Sequence, residues 1–297
     1  MRVPAVVRLL RPRQWVKNLL VFAAPAAAGV LDQADHLGRT TLLFVAFCLA
    51  ASGTYCINDA NDADADRTHP RKRFRPVASG EISVGAARVL GVALLLAGVG
   101  LGALTDGWPT AGIVILYVTI TTAYTLWLKQ QAVVDIVVVA SGFVVRAVAG
   151  VVGTDLPLSD WYLIVASFGS LFLVAGKRST ELNLGAEAGE HRRALVSYSA
   201  PFLLFVRAVA AGITLLAYCL WAFERAELAD GGFPWFQLSI VPFTTAILRY
   251  ALVHSMEEHA GPEEIVLGDR TLLFISAVWA MTMGFGVYVA GTPPVAG

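Results

Sequence analysis

Long apolar runs alternate with short polar stretches along the whole chain, and this pattern governs the first prediction. Nine runs are long enough, or nearly so, to cross a hydrocarbon core of about 30 Å as helices. They cover residues 18–33, 40–58, 84–105, 109–128, 132–153, 160–177, 199–222, 236–256 and 271–291. No linker between them is long enough to separate a soluble domain. The pattern predicts an all-α polytopic membrane protein with nine transmembrane helices, forming a single integral-membrane domain over residues 1–297.

The composition supports this class, because 57% of the residues are hydrophobic and only 15% are charged. In soluble domains the charged share is about 25%. The formal net charge of zero carries no information about partners. We predict a membrane-embedded protein with no nucleic-acid partner, and the sequence leaves open whether it forms a homo-oligomer.

Lysine and arginine are distributed unevenly among the connections between the predicted spans. Nineteen of the 22 lie in or beside the N-terminal segment and four polar loops, residues 59–83, 129–131, 177–198 and 254–270. Arg39 and Arg225 lie in the other connections, and Arg146 lies within a span. Because Lys and Arg accumulate on the cytoplasmic side, the N-terminus and these loops are predicted to be cytoplasmic. The C-terminus is then external, in a multi-pass protein of the inner or plasma membrane.

The second apolar run ends in an acidic stretch with the sequence NDANDADAD. If the helix continues through it at about 100° per residue, Asn58, Asp62 and Asp66 share one arc, and Asp59 lies inside or close to that arc. Asp64 then points the other way. Three or four oxygen ligands on one face suit Mg²⁺, which leaves coordination positions for a substrate phosphate.

An acidic stretch at a helix end is often only a solvated loop. Here aspartates spaced four apart repel each other and destabilise a helix unless a cation neutralises them. No His or Cys accompanies the carboxylates, which argues against zinc. We therefore interpret the stretch as a magnesium–phosphate site.

A second polar cluster closes the sixth predicted span. Lys177 and Glu181 are four residues apart and share a helix face, while Arg178 is turned about 100° away. Such a Lys–Glu pair is commonly a surface ion pair of small energy. Both that interpretation and a role in the site are left open.

Two further groups are candidates for the site. Asp135 and Arg146 lie within the fifth span, either as functional groups or as an interhelical ion pair. Tyr124 and Lys129 close the fourth span, where a lysine reaching the interface is the alternative.

The N-terminal segment RPRQWVKN is more specific than a generic positive anchor. Its side chains Arg13, Lys17 and Asn18 are placed to close over an anionic ligand.

These residues resemble a known family. The pattern Asn58-Asp-x-x-Asp62-x-x-x-Asp66, followed by Arg67-x-His-Pro-x-Lys72-x-x-Arg75-Pro, is similar to the first signature of the UbiA-type intramembrane prenyltransferase superfamily. The resemblance covers essentially the whole chain. It implies a nine-helix bundle and Mg²⁺ held by Asn58, Asp59, Asp62 and Asp66.

RPRQWVKN resembles one branch of that superfamily, the decaprenyl-phosphate phosphoribosyltransferases of actinobacterial cell-wall synthesis. Most of the superfamily carries a second DxxxD, whereas this chain has Lys177, Arg178 and Glu181 there. The branch implies phosphoribosyl diphosphate as donor, a polyprenyl phosphate as acceptor and diphosphate as product, toward arabinan precursors. The implied catalytic residues are Asp62, Asp66, Lys177 and Glu181. The implied substrate-binding residues are Lys17, Asn18, Arg67, Lys72, Arg75, Tyr124, Lys129, Arg146 and Arg178, with Arg71 and Arg73 as further cations on the same loop.

Two other functions compete with this one. A true prenyltransferase of the same fold would use the same magnesium–diphosphate chemistry, so the acidic motif does not separate the two. A cation-dependent transporter would line a path across the bilayer with charge. Nearly all the charge here lies at one predicted face, which disfavours transport.

Overall fold

A computed structural model describes residues 4–70, 72–184, 193–229, 232–256 and 262–289. Within these ranges the regular structure is helical and contains no strand. Three 3-10 segments cover Pro12–Phe22, Lys72–Phe74 and Leu128–Gln130. The α-helices are α1 (Ala5–Leu10), α2 (Ala23–Ala27), α3 (Ala34–Asn61), α4 (Ala63–Thr68), α5 (Val84–Asp106), α6 (Trp108–Leu126), α7 (Val134–Gly153), α8 (Asp160–Asn183), α9 (Arg193–Val196), α10 (Ala200–Leu228), α11 (Trp235–Met256), α12 (Pro262–Gly268) and α13 (Arg270–Tyr288). The all-α prediction is confirmed for this part of the chain.

Seven of the described helices are long and apolar enough to cross a membrane: α3, α5, α6, α7, α10, α11 and α13. The predicted span 160–177 lies in α8, which has 24 residues but is not among the seven. The predicted span 18–33 is not one helix, because a 3-10 segment and the short α2 share it. Pro25 removes a backbone donor there, and Gly29 turns the chain with φ 73°. The count of nine spans stays a prediction.

The chain divides into two compact units. Unit 1 contains Met1–Pro25, Leu31–Thr125 and Val145–Asp155, and unit 2 contains Ala26–Val30, Leu126–Val144 and Leu156–Gly297. Helix α7 contributes its first half to unit 2 and its second half to unit 1.

Unit 1 is built on close contact between α3 and α5. A Cβ at Gly53 would lie 2.8 Å from the Gly91 carbonyl oxygen, and one at Gly98 would lie 2.9 Å from that of Ala46. Small residues allow two membrane helices to approach this closely. Beside this contact, Phe47 on α3 and Tyr117 on α6 pack with ring centroids 5.3 Å apart. Helix α3, which ends in the acidic stretch, is therefore firmly held.

Unit 2 is held by aromatic packing and by a capped helix start. Tyr218 on α10 stacks on Phe243 of α11 at 3.9 Å, and its hydroxyl accepts a 2.7 Å hydrogen bond from Trp279 Nε1 on α13. Asp269 caps α13 by accepting from the Leu272 amide at 2.6 Å. Hydrogen bonds from Arg249 and from that amide lower the pKa of the Asp269 carboxyl, which lies outside the spans. These contacts join α10, α11 and α13.

Candidate active site

The acidic stretch is nearly, but not completely, one helix. Helix α3 ends at Asn61 and α4 begins at Ala63, with Asp62 at φ −89° and ψ 2° between them. Two helical hydrogen bonds cross this junction, from the Asp62 amide to the Asn58 carbonyl at 2.9 Å and from the Asp66 amide to the Asp62 carbonyl at 2.8 Å. The helix is therefore interrupted at Asp62, but these two bonds continue the i to i−4 pattern across the interruption.

Burial separates the aspartates of this stretch. Asp59 is 2% exposed and Asp66 is 3% exposed, whereas Asp62 is half-buried. Asp64 is exposed and forms an ion pair with Arg67, three residues along the same short helix. The structure thus places Asp64 opposite the others, as the helix phase predicts. Arg67, which the resemblance implied as a substrate-binding residue, lies on this exposed side.

Two arginines hold the buried carboxylates. Arg75 Nη1 donates to Asp66 Oδ2 at 2.7 Å and to Asp59 Oδ1 at 3.3 Å. Arg11 Nη2 donates to the same Asp59 oxygen at 2.6 Å, and its guanidinium lies 4.7 Å from the centroid of the Tyr55 ring. Arg11, Asp59, Asp66 and Arg75 form what we call the acidic cluster.

Arg11 was not predicted as part of the site. It adopts φ 53° and ψ 58°, the left-handed region, although a residue before proline favours an extended backbone. Arg13, which was predicted to close over an anionic ligand, is exposed. Nothing in the local sequence indicates this conformation.

The donor chemistry of the acidic cluster fits Mg²⁺. Carboxylate oxygens of Asp59 and Asp66 converge on one atom, Arg75 Nη1, so both reach a common point. Asn58 and Asp62 add half-buried oxygen donors within one turn. Hard oxygen ligands without His or Cys are what Mg²⁺ prefers. Among the residues that the structure describes, no group of three or more His, Cys, Asp or Glu is already arranged around a metal position.

The basic residues that follow the acidic stretch are only partly brought together. Arg75 reaches the carboxylates, and Lys72 is half-buried with its backbone amide 3.3 Å from His69 Nδ1. Arg73 is exposed and stacks on Phe74 at 4.8 Å. Arg71 lies outside the described residues.

Two interpretations of Asp135 and Arg146 were left open, and in the structure each residue has its own partner on another element. Arg146 donates from Nε to Asn18 Oδ1 at 2.6 Å and from Nη2 to the Tyr117 hydroxyl at 2.8 Å. Asn18 is fully buried and donates in turn to Cys48 Sγ at 3.2 Å. Arg146 and Asn18 therefore fasten the segment Pro12–Phe22 inside unit 1. Lys17, the neighbour of Asn18, is half-buried.

In unit 2 the partner of Asp135 is Arg178. Arg178, 1% exposed, donates from Nε to Asp135 Oδ2 and from Nη1 to Glu181 Oε2, each at 2.7 Å. The Tyr198 hydroxyl donates to the other Asp135 oxygen and accepts from the Val133 amide at 2.7 Å. We call Asp135, Arg178, Glu181 and Tyr198 the arginine brace.

The brace changes the expected role of Arg178. A guanidinium buried between two carboxylates suits a structural role, so these contacts disfavour the predicted role of Arg178 as a phosphate ligand. Burial, followed by the hydrogen bond to Asp135, raises the pKa of Tyr198, which lies outside the spans. The Tyr198 hydroxyl donates to Asp135, a role that no pattern in the sequence indicated.

The remaining predicted residues lie at helix ends. Lys177 is half-buried one residue before Arg178. Tyr124 lies near the end of α6 in unit 1, and Lys129 lies in the 3-10 segment Leu128–Gln130 of unit 2. Both are half-buried.

Comparison with known proteins agrees with this architecture. Residues 19–278 match the UbiA prenyltransferase family. The decaprenyl-phosphate phosphoribosyltransferase of Mycobacterium tuberculosis H37Rv is 44% identical over 294 residues, covering 96% of this chain and 95% of the relative. That of Corynebacterium glutamicum is 42% identical over 289 residues, covering 96% and 87%. A UbiA homologue from Archaeoglobus fulgidus, solved with GPP and Mg²⁺, shares the fold with a TM-score of 0.74 at 19% identity, covering 96% of this chain and all of that one. The chain therefore belongs to the UbiA prenyltransferase family.

Proposed function

We propose that this protein transfers the 5-phosphoribosyl group from 5-phosphoribosyl 1-diphosphate to decaprenyl phosphate or a similar polyprenyl phosphate. An oxygen of the lipid phosphate attacks the anomeric carbon of the ribose. The bond from that carbon to the diphosphate breaks, and its electron pair leaves with the diphosphate. The observation that carries the proposal is the 42–44% identity, over 96% of this chain, to relatives that bear the name of this activity.

The acidic cluster is the proposed diphosphate site. Asn58, Asp59, Asp62 and Asp66 would hold Mg²⁺, which when bound offsets the negative charge of the leaving diphosphate. Arg75 bridges Asp59 and Asp66 at 3.3 and 2.7 Å with a half-exposed guanidinium, so it is placed to exchange these carboxylates for a diphosphate oxygen. Arginine suits this task because its forked donors match phosphate geometry.

Further cations are needed because the donor carries a 5-phosphate beyond its diphosphate. The proposed contacts to phosphate oxygens are Lys17, Lys72 and Lys177, which the family resemblance implies as site residues and which are all half-buried. Asn18 and Arg146 position the segment that carries Lys17. The brace orients Glu181 through Arg178.

The acceptor needs little activation by the protein. A phosphate monoester has a second pKa of about 6, so the lipid phosphate is mostly dianionic near pH 7. No strong general base is then required, and positioning with charge neutralisation supplies most of the catalysis.

The experiment offers two donors to the purified protein. With decaprenyl phosphate and Mg²⁺, we expect isotope from labelled phosphoribosyl diphosphate to enter a phosphoribosylated lipid detected by mass spectrometry. A parallel reaction contains geranyl diphosphate and an aromatic acceptor. Turnover of the prenyl donor without turnover of phosphoribosyl diphosphate would overturn the proposal in favour of prenyl transfer.

We further propose that the loops carrying these residues face the cytoplasm. The uneven distribution of Lys and Arg supports this orientation. Ser79 and Asp106 are exposed on either side of α5 in unit 1. Cysteines introduced at these positions should react with an impermeant reagent from opposite sides of the membrane, and labelling from one side would contradict the orientation.

A further inference from the structure

The last turns of α8 receive a hydrogen bond from another helix at the residue before Lys177. His254 on α11 is 4% exposed, and its Nε2 lies 2.8 Å from the Gly176 carbonyl oxygen. A carbonyl only accepts, so this nitrogen carries the proton and donates. The Thr180 hydroxyl oxygen lies 3.2 Å from the same Nε2. His254 therefore contacts the residues that directly precede Lys177 and Glu181.

Glycine at position 176 makes this approach possible. A Cβ built there would lie 3.2 Å from His254 Nε2 and 3.3 Å from Cδ2, tighter than ordinary carbon contacts. The second lone pair of the carbonyl remains available to the histidine, because helical bonding uses only one. Any larger residue would displace the ring from this carbonyl.

The same turns are fastened a second time by the arginine brace. Arg178 ties α8 to Asp135 on α7 through a 2.7 Å contact. Lys177 and Glu181 thus lie on a segment of α8 with two attachments. The Arg178 side chain binds α7, and the Gly176 carbonyl oxygen accepts a hydrogen bond from α11. Two independent attachments at one helix end restrict both its rotation and its fraying.

We propose that His254 is a positioning residue, which fixes the end of α8 so that Lys177 and Glu181 are presented to the phosphoribosyl donor. This inference rests on the proposed function, in which Lys177 contacts the donor, and on the catalytic role that the family resemblance implies for Glu181. The alternative is a buried histidine that contributes only to stability. The positioning role predicts that loss of this hydrogen bond changes the donor kinetics and the hydrogen exchange of the α8 end. A purely stabilising role predicts neither of these local changes.

The kinetic test compares two substitutions at His254 with one matched control. His254→Leu removes the donor, whereas His254→Gln retains an N–H at the end of a side chain of similar reach. We expect kcat/KM for phosphoribosyl diphosphate to fall about tenfold in His254→Leu, the size of one lost orienting hydrogen bond, and to recover to within about threefold in His254→Gln. The KM for polyprenyl phosphate should stay within about twofold.

Ser239→Ala is the control, because Ser239 is a fully buried residue of the same helix that bonds to the Tyr218 hydroxyl at 2.7 Å. It removes a buried hydrogen bond that does not involve α8. We expect it to lower the unfolding temperature without changing donor kinetics. Equal kinetic losses in Ser239→Ala and His254→Leu, or no recovery in His254→Gln, would overturn the positioning role.

A second measurement does not depend on turnover. Hydrogen–deuterium exchange of the full-length protein in detergent should show faster exchange across 176–184 in His254→Leu than in wild type, with Ser239→Ala unchanged there. Gly176→Ala should give the same local effect, and the double variant with His254→Leu should add little, because both act on one contact. If wild type fails to transfer phosphoribosyl but this local exchange is seen, the proposed function fails while the fastening of α8 stands. Unchanged exchange in 176–184 would overturn the fastening itself.

Discussion

The acidic cluster of unit 1 and the arginine brace of unit 2 both consist of ion pairs between arginine and carboxylate side chains. They differ in which of the two charges is most deeply buried. In the cluster the carboxylates of Asp59 and Asp66 are buried, while the guanidiniums of Arg11 and Arg75 are 28% and 29% exposed. In the brace the guanidinium of Arg178 is 1% exposed, between a buried Asp135 and a Glu181 that is 21% exposed.

Charged residues near helix ends look alike in a sequence, but the difference in burial assigns them two roles, ligand binding and helix–helix attachment. A half-exposed guanidinium can turn toward a ligand while it stays hydrated, and a cation bound beside the buried carboxylates would replace its charge. A buried guanidinium leaves uncompensated charge behind if it moves, which costs several kcal/mol. The acidic cluster is therefore suited to binding, and the arginine brace is suited to holding α7 and α8 together.

Removal of the brace cation should give the largest effect. Arg178→Met leaves Asp135 buried without its cation, so we expect the free energy of unfolding to fall by about 3–5 kcal/mol. Thermal or denaturant unfolding in detergent measures this loss. A protein of wild-type stability would show that Arg178 is not structural and would restore it as a candidate phosphate ligand.

Substitution in the acidic cluster should abolish activity with less effect on folding. We expect Asp66→Asn and Asp59→Asn to lower kcat at least about a hundredfold, which corresponds to about 2.7 kcal/mol of lost transition-state stabilisation. Asp62→Asn should also be strongly impaired. Steady-state transfer rates measure this series.

Asp64→Asn is the matched control, because Asp64 is an exposed aspartate of the same short helix. Its ion pair with Arg67 is a surface contact of small energy, so activity should stay within about twofold. Equal losses at positions 62, 64 and 66 would contradict the helix phase.

Loss of single phosphate contacts should have a smaller effect. A charge-assisted contact is worth about 1.5–3 kcal/mol, so Lys17→Ala and Lys177→Ala should each raise the donor KM or lower kcat at least about tenfold. The apparent affinity for polyprenyl phosphate should change less. If both variants keep wild-type donor kinetics, these lysines do not bind the donor.

The outer part of the brace should give the smallest effect. Tyr198→Phe removes a donor to Asp135 and an acceptor for the Val133 amide but leaves Arg178 in place. We expect a loss of about 1–2 kcal/mol in the free energy of unfolding. A loss as large as that of Arg178→Met would mean that Tyr198, rather than the guanidinium, dominates the brace.

Local sequence was sufficient for features that depend on neighbouring residues. The helical class follows from the apolar runs, and the opposite placement of Asp64 and Asp66 follows from the helical repeat. The partners of the charged groups could not be predicted from local sequence, because they lie far away in the chain. Arg178 is 43 residues from Asp135, and Arg146 is 128 residues from Asn18. Spacing within one helix cannot show such contacts.

Arg11 illustrates a different limit. Its left-handed backbone is unfavourable for a non-glycine residue and is maintained by tertiary contacts, among them the 2.6 Å ion pair with Asp59. Local propensity therefore predicts another conformation. The interruption at Asp62 is similar, since no Pro or Gly marks it in the acidic stretch.

We propose that Mg²⁺ binds at the acidic cluster and not at the arginine brace. The most direct test is the unfolding temperature of purified protein with and without Mg²⁺, because a ligand that binds only the folded state stabilises it. We predict that Mg²⁺ raises this temperature in wild type and in Glu181→Gln, raises it further in Arg75→Gln, where the competing cation is gone, and has no effect in Asp66→Asn. A full Mg²⁺ shift in Asp66→Asn, or its loss in Glu181→Gln, would contradict Mg²⁺ binding at the acidic cluster.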